Sequence, residues 1–92
     1  MPADEHVRAH LLISGRVQGV YFRAETTRLA RAEGLAGWVR NVGDQVEAEF
    51  EGPRDAVERL IDWSHEGPPR AAVARVDVTW AEPEGTTGFS IR

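Results

Sequence analysis

The chain has 92 residues, which is the size of one domain. Its 11 basic and 15 acidic side chains give a formal net charge of −4, which argues against the dense basic face of a nucleic-acid-binding domain. Cysteine is absent, which excludes disulfides, thiol nucleophiles and cysteine-ligated metals, and every basic side chain is an arginine, which excludes lysine-dependent phosphate binding and Schiff-base chemistry.

The chain order of predicted elements indicates one compact architecture. The elements are a strand over 6–14, a helix that begins at Phe22 and ends at a left-handed cap on Gly34, strands over 35–41 and 45–51, a helix that starts at Gly52-Pro53 with the proline in its first turn and stops at Gly67, a strand over 72–80 and a short strand over 89–91. Two βαβ halves of this kind are typical of an α+β, ferredoxin-like split βαβ sandwich, with two helices on one face of a mainly antiparallel sheet.

The strictest alternation in the chain lies in the predicted strand over 45–51. Val46, Ala48 and Phe50 are expected to face the core. The polar residues between them are expected to form a solvated face rather than a metal site: Gln45, Glu47, Glu49 and Glu51.

The segment from Ser14 to Arg23 carries the strongest indication of a binding site. Gly15 and Gly19 allow positive φ angles or a close backbone approach in a loop that leads into a helix. Such a loop can direct several N–H groups at one anion, with the helix dipole behind them. The forked guanidinium of Arg23 could complete the site around a phosphate or a carboxylate. By spacing alone, the two glycines also fit an ordinary structural turn.

Four segments resemble the acylphosphatase family. The run Gly15-Arg16-Val17-Gln18-Gly19-Val20-Tyr21-Phe22-Arg23 is similar to its phosphate-cradle signature, and Gly37-Trp38-Val39-Arg40-Asn41 is similar to its second signature. Glu51-Gly52-Pro53 and the ending Gly88-Phe89-Ser90-Ile91-Arg92 fit the same family, and the resemblance extends over residues 7–92. The chain departs from the family pattern at one place. Four residues separate Asn41 from Val46, one fewer than is usual in the family, which puts the type of the turn between them in doubt.

The resemblance implies a hydrolase that cleaves the carboxyl–phosphate bond of small-molecule acyl phosphates without metal or other cofactor. Arg23 would bind the phosphoryl group and Asn41 would orient the attacking water. The rest of the cradle would bind phosphate mainly through its amides: Gly15, Arg16, Val17, Gln18, Gly19, Val20, Tyr21 and Phe22. Asn41 is the one asparagine of the chain, and its carboxamide can both accept and donate hydrogen bonds.

Several alternatives stay open at this point. A non-catalytic phosphate-binding or regulatory module on the same fold would need the cradle and Arg23 but no water-orienting group. Asn41 could simply begin a turn beside Gly43, and Arg16 could be an ordinary exposed arginine. The scattered histidines, the acidic positions on the second helix and the tryptophans are interpreted as structural: His6, His10, His65, Asp55, Glu58, Asp62, Trp38, Trp63 and Trp80.

The sequence also leads to expectations about membrane spans, domain bounds, compartment and oligomeric state. No apolar run has the length of a membrane span, and no apolar segment follows the first five residues as in a signal peptide. We therefore expect a single domain over 1–92, with a flexible N-terminal segment over 1–5. A cytoplasmic monomer that binds neither nucleic acid nor membrane is the corresponding expectation.

Overall fold

The computed structural model describes residues 5–92 and confirms the ferredoxin-like α+β fold. The elements are β1 (His6–Arg16), α1 (Phe22–Ala32), β2 (Ala36–Val42), β3 (Gln45–Pro53), α2 (Arg54–Ser64), β4 (Ala72–Ala81) and β5 (Phe89–Ile91). The five strands form one sheet in the order β4-β1-β3-β2-β5. Only the pairing of β2 with β5 is parallel, and both helices pack on the same face of the sheet.

The hydrophobic core lies between the two helices and strands β1 and β3. The alternation in the sequence predicts its β3 side correctly, because Val46, Ala48 and Phe50 are fully buried. They pair in register with Ile13, Leu11 and Ala9 of β1, which are also fully buried. Each buried methylene in such a core contributes about 0.8 kcal/mol of transfer free energy, so this layer holds the sheet against the helices.

The ends of the helices follow the glycine and proline signals with one correction. Gly34 has φ +70°, and the N–H groups of Gly34 and Leu35 donate to Arg31 O and Ala30 O at 3.1 and 2.9 Å, which confirms a left-handed cap of the Schellman type. Pro53, however, is not in the first turn of α2. It is the residue before the helix, with an extended ψ of 138°, because β3 continues through it and pairs it with His6.

The interpretation of the β3 acids as a solvated face is wrong for Glu51, which is 5% exposed. Its carboxylate accepts hydrogen bonds from Arg8 Nη1 at 2.6 Å and from the N–H groups of Glu84 and Gly85 at 2.9 and 2.8 Å. Burial acts to raise the pKa of Glu51, but these donors outweigh it and hold the pKa below its usual value. The cause is tertiary, because the segment after β4 folds over this end of the sheet to bring β5 beside β2.

The other acids of β3 are also paired rather than freely solvated. Glu49 contacts the guanidinium of Arg8. Glu47 accepts from Arg40 Nε at 2.7 Å and contacts His10 Nε2 at 2.6 Å, and the His10 contact is the leading reason why the pKa of Glu47 is lowered. The sheet face opposite the helices therefore carries a network of ion pairs.

The tryptophans and the acidic positions of α2 lie where structural residues are expected. Trp63 packs on Phe22 with 5.3 Å between ring centroids, and the guanidinium carbon of Arg92 lies 4.6 Å from the ring centroid of Trp38. Trp80 stays 46% exposed. These are the positions expected of packing residues. The three acidic positions on α2 are exposed, as predicted: Asp55, Glu58 and Asp62.

The expected flexible segment over 1–5 falls outside the described residues except at Glu5. There the carbonyl of Glu5 accepts from the N–H of Arg54 at 2.8 Å, and its carboxylate pairs with Arg54 Nε at 3.0 Å. Between residues 5 and 92, no helix is long and apolar enough to cross a membrane.

Candidate active site

The loop between β1 and α1 is anchored by apolar side chains. Val17, Val20 and Phe22 are 1%, 7% and 2% exposed, whereas Gly19 and Tyr21 are exposed. Fixing every second or third side chain in the core leaves the intervening backbone at the surface in one conformation. A preorganised loop of this kind binds a ligand without first paying the entropy of ordering itself.

The two glycines of this loop are needed for different reasons. At Gly15, where φ is +121°, a Cβ would lie 2.3 Å from Ala72 O and 2.6 Å from Ala74 N, so β4 could not approach. The register between β1 and β4 shifts at this point. Gly19 has φ +72° with open space around it, so it is required by backbone conformation alone.

The entrance to α1 offers a group of unpaired N–H donors. Tyr21 precedes the helix in the left-handed conformation, with φ 66° and ψ 25°, and no side chain caps the helix. In the part of the chain that the structure describes, the N–H groups of residues 18–24 donate to no backbone carbonyl. The positive end of the helix dipole is thus uncapped.

Six of the seven residues in 18–24 line a cleft of about 430 Å³ that three separate parts of the chain share. Its described lining consists of Val17, Gln18, Gly19, Tyr21, Phe22, Arg23, Ala24, Asn41 and Ile91. The structure therefore brings Arg23 on α1 and Asn41 on β2 to one site. Gly15, Arg16 and Val20, which the sequence analysis includes in the cradle, lie next to the cleft and do not line it.

Arg23 is exposed and uncommitted. Within residues 5–92 it makes no ion pair, whereas six other arginines do: Arg8, Arg28, Arg40, Arg54, Arg59 and Arg75. Asn41 is exposed as well and pairs through its backbone with Val46 near the end of the β2–β3 hairpin. Both side chains are consequently free to bind a ligand in the cleft.

The side chain of Gln18 links the loop to that hairpin. Its Nε2 donates to Gly43 O at 2.8 Å and to Gln45 O at 2.9 Å. The hairpin turn has two residues, Gly43 and Asp44, because Val42 pairs with Gln45. The shortened turn noted in the sequence therefore keeps β2 and β3 in register and presents its carbonyls to Gln18. The Gln18 amide group is a connection between the two walls of the cleft.

Sequence reasoning missed Ile91 and Ala24 in the lining. Ile91 reaches the cleft because β5 pairs in parallel with β2, with Val39 opposite Ile91 and the N–H of Arg92 donating to Val39 O at 2.9 Å. No local signal in a three-residue strand reveals this pairing. In residues 5–92 no three His, Asp or Glu side chains are grouped closely enough to hold a metal ion.

The fold and the cleft together define a small α+β domain with a cleft at an uncapped helix N-terminus. Residues 9–91 match the family model described as acylphosphatase. An acylphosphatase of Natronomonas pharaonis is 54% identical over 90 residues, which are 97% of this chain and 98% of that protein. An acylphosphatase of Thermococcus kodakarensis is 57% identical over 88 residues, or 95% of this chain and 97% of that protein.

A solved structure agrees with these sequence relatives. An acylphosphatase from Coxiella burnetii is similar with a TM-score of 0.91 and 36% identity, and the match covers 100% of both chains. The chain therefore belongs to the acylphosphatase family, and it is a hydrolase of that family. The resemblance stated from the sequence motifs is confirmed.

Proposed function

We propose that this chain hydrolyses acyl phosphates, with N–H groups of the 16–22 loop and Arg23 holding the phosphoryl group and Asn41 orienting the attacking water. The observation that supports this best is the shared cleft, which joins an uncapped helix N-terminus, an unpaired guanidinium and an exposed carboxamide. Each of the three does a separate part of the reaction.

The cradle and Arg23 act on charge. Phosphoryl transfer proceeds through a loose transition state whose charge is spread over three equatorial oxygens. Backbone N–H groups fixed by the buried anchors Val17, Val20 and Phe22 can donate to these oxygens without reorganising. Arg23 adds a forked, charged donor on the same wall of the cleft.

Asn41 acts on the nucleophile. Its carboxamide oxygen accepts a hydrogen bond from water, and its NH₂ group donates to a phosphoryl oxygen, so one side chain fixes both reactants. The water oxygen forms a bond to phosphorus while the bond from phosphorus to the carboxyl oxygen breaks. The products are a carboxylate and inorganic phosphate. In the best oriented cases, holding reactants in place contributes roughly 7–11 kcal/mol.

The cleft offers no carboxyl or imidazole group to protonate a leaving group, since none of the described residues that line it is Asp, Glu or His. An acyl phosphate needs none, because its leaving group is a carboxylate whose conjugate acid has a pKa of about 4 to 5. Phosphate monoesters, with poorer leaving groups, should react slowly. The lining therefore supports selectivity by leaving group.

The direct test is hydrolysis of benzoyl phosphate by the purified protein in EDTA, with p-nitrophenyl phosphate in parallel. Fast turnover of the first and little of the second is expected. Comparable turnover of both, or activity that EDTA abolishes, would contradict the proposal.

Two variants separate binding from catalysis. Arg23→Ala should abolish measurable binding of inorganic phosphate and reduce kcat/KM by about 10³-fold, within the range known for arginines that contact a transferring phosphoryl group. Asn41→Ala should still bind phosphate, weakened only by the loss of one hydrogen bond, and should lose about 10²-fold or more in kcat. Arg28→Ala removes an exposed arginine from the same helix and is the matched control. A wild-type protein that binds phosphate but hydrolyses nothing would instead support the non-catalytic binding module.

A further inference from the structure

A second groove, of about 380 Å³, adjoins the cleft. It lies between the entrance to α1 and the segment that precedes β4. Its described lining consists of Val20, Tyr21, Glu25, Pro68, Pro69 and Arg70. Tyr21 lines both the cleft and this groove, so a molecule that extends past Tyr21 would pass from one into the other.

The groove combines apolar surface with one uncommitted positive charge. Tyr21 is 76% exposed. Its backbone is in the left-handed region, where glycine is more usual, so this position carries a large ring at the surface in place of a glycine. Pro68 is buried and Pro69 exposed, so the prolyl wall is fixed from beneath. Within residues 5–92, Arg70 forms no ion pair, whereas Glu25 is paired with Arg28 at 2.8 Å.

The strand order puts this groove on the side of the cradle opposite Asn41. Strand β1, which leads into the cradle, has β3 and then β2 on one side and β4 on the other. On the first side, the side chain of Gln18 donates hydrogen bonds to the β2–β3 hairpin, close to Asn41. On the second side Arg16 pairs with Ala72 at the start of β4, directly after the groove residues.

This placement matters because the attacking and leaving oxygens of phosphoryl transfer are roughly in line. If Asn41 holds the water, as proposed above, the leaving carboxylate points away from β2 and toward β4. The acyl group attached to it then extends toward Tyr21 and the prolines.

We infer that this groove binds the acyl part of the substrate, and that it favours acyl groups with an apolar body and a negatively charged end. The body would pack on the ring of Tyr21 and on Pro69, and the terminal anion would pair with Arg70. This inference rests on the proposed function, because it takes its direction from the position of the water.

Three substrates of graded length test it: acetyl phosphate, pentanoyl phosphate and glutaryl monophosphate. The last two have the same number of carbons and differ by a terminal carboxylate, while acetyl phosphate is too short to occupy the groove. The wild-type protein should give the highest kcat/KM with glutaryl monophosphate and the lowest with acetyl phosphate.

Variants locate the effect. Arg70→Gln should raise KM for glutaryl monophosphate about three-fold, as expected for an exposed ion pair, with no change for the other two substrates. Arg75→Gln, an exposed arginine on β4, is the control and should change none of them. Tyr21→Asn, which tolerates the left-handed conformation, should lower the preference of both longer substrates over acetyl phosphate.

The outcomes distinguish the inference from the proposed function. Equal kcat/KM for all three substrates, or an Arg70→Gln effect of the same size on all of them, would overturn the inference and leave the proposed function intact. No hydrolysis of any of them would overturn the proposed function, and the inference with it.

Discussion

The amide of Gln18 is expected to couple the phosphate cradle to the strand that carries Asn41. Replacing it by methionine preserves the length of the side chain and removes both donated hydrogen bonds, to Gly43 O and Gln45 O. Each such bond contributes about 0.5–1.5 kcal/mol net. Because one of the two is exposed to water, we expect Gln18→Met to lower the unfolding free energy by about 1–2 kcal/mol in total. For a domain of this size that is a fall in Tm of roughly 5–15 °C.

The catalytic effect should exceed what that loss of stability explains. If the hairpin is released from the loop, Asn41 and the cradle no longer keep a fixed separation. A misplacement of about 1 Å can cost on the order of 10²-fold in rate. We expect kcat for benzoyl phosphate to fall by about 10- to 100-fold at a temperature where the variant is fully folded. Binding of inorganic phosphate should stay within about three-fold of wild type, because Arg23 and the N–H groups remain.

The assay compares kcat, KM and phosphate affinity with urea unfolding curves on the same samples. Gln45→Met is the matched control, because the Gln45 amide donates to Ser14 Oγ at 2.6 Å and not to the cradle loop. It should lose about 0.5–1.5 kcal/mol of unfolding free energy for its one bond and keep its kcat. If Gln18→Met loses stability but keeps kcat within two-fold of the control, the coupling argument is refuted and the bonds only stabilise the fold.

Three further predictions concern stability. Tyr21→Gly should raise the unfolding free energy by about 0.5–1 kcal/mol, because glycine relieves the positive φ and the exposed ring loses little burial; an unchanged or lower value in urea titration would count against backbone strain at this position. Gly15→Ala should cost about 3 kcal/mol or more through its collision with β4, and Gly19→Ala, with open space around it, about 1 kcal/mol; equal costs would contradict the packing argument. The pKa of Glu51 is lower in the folded chain than its ordinary value of 4.5, so its contribution to stability is present above that pH and is lost as the pH falls through the folded pKa. Glu51→Gln should therefore lose unfolding free energy less steeply than wild type as the pH is lowered from about 5 to 3, and parallel curves would show that Glu51 does not carry this dependence.

The faces of the strands and the glycine positions of the loop were determined locally. Val46, Ala48 and Phe50 alternate with polar residues, and this period of two by itself selects which side of β3 faces the core. Likewise, Gly15 and Gly19 both adopt positive φ angles, which glycine takes without the strain that a Cβ would bring. These features depend on a few neighbouring residues, so a single sequence is enough to predict them.

Tertiary structure decided the features that depend on which distant segments meet. The Glu51 side chain is on the predicted solvated face, yet it is buried because a segment more than 30 residues further along folds over it. Nothing in the sequence around Gln18 indicates a partner for its side chain. Its amide donates to Gly43 O and Gln45 O because the β2–β3 hairpin lies opposite the loop. Ile91 reaches the cleft only because β5 pairs in parallel with β2. Hydrogen bonds and burial are set by three-dimensional neighbours, and the sequence specifies these only through the whole packed sheet.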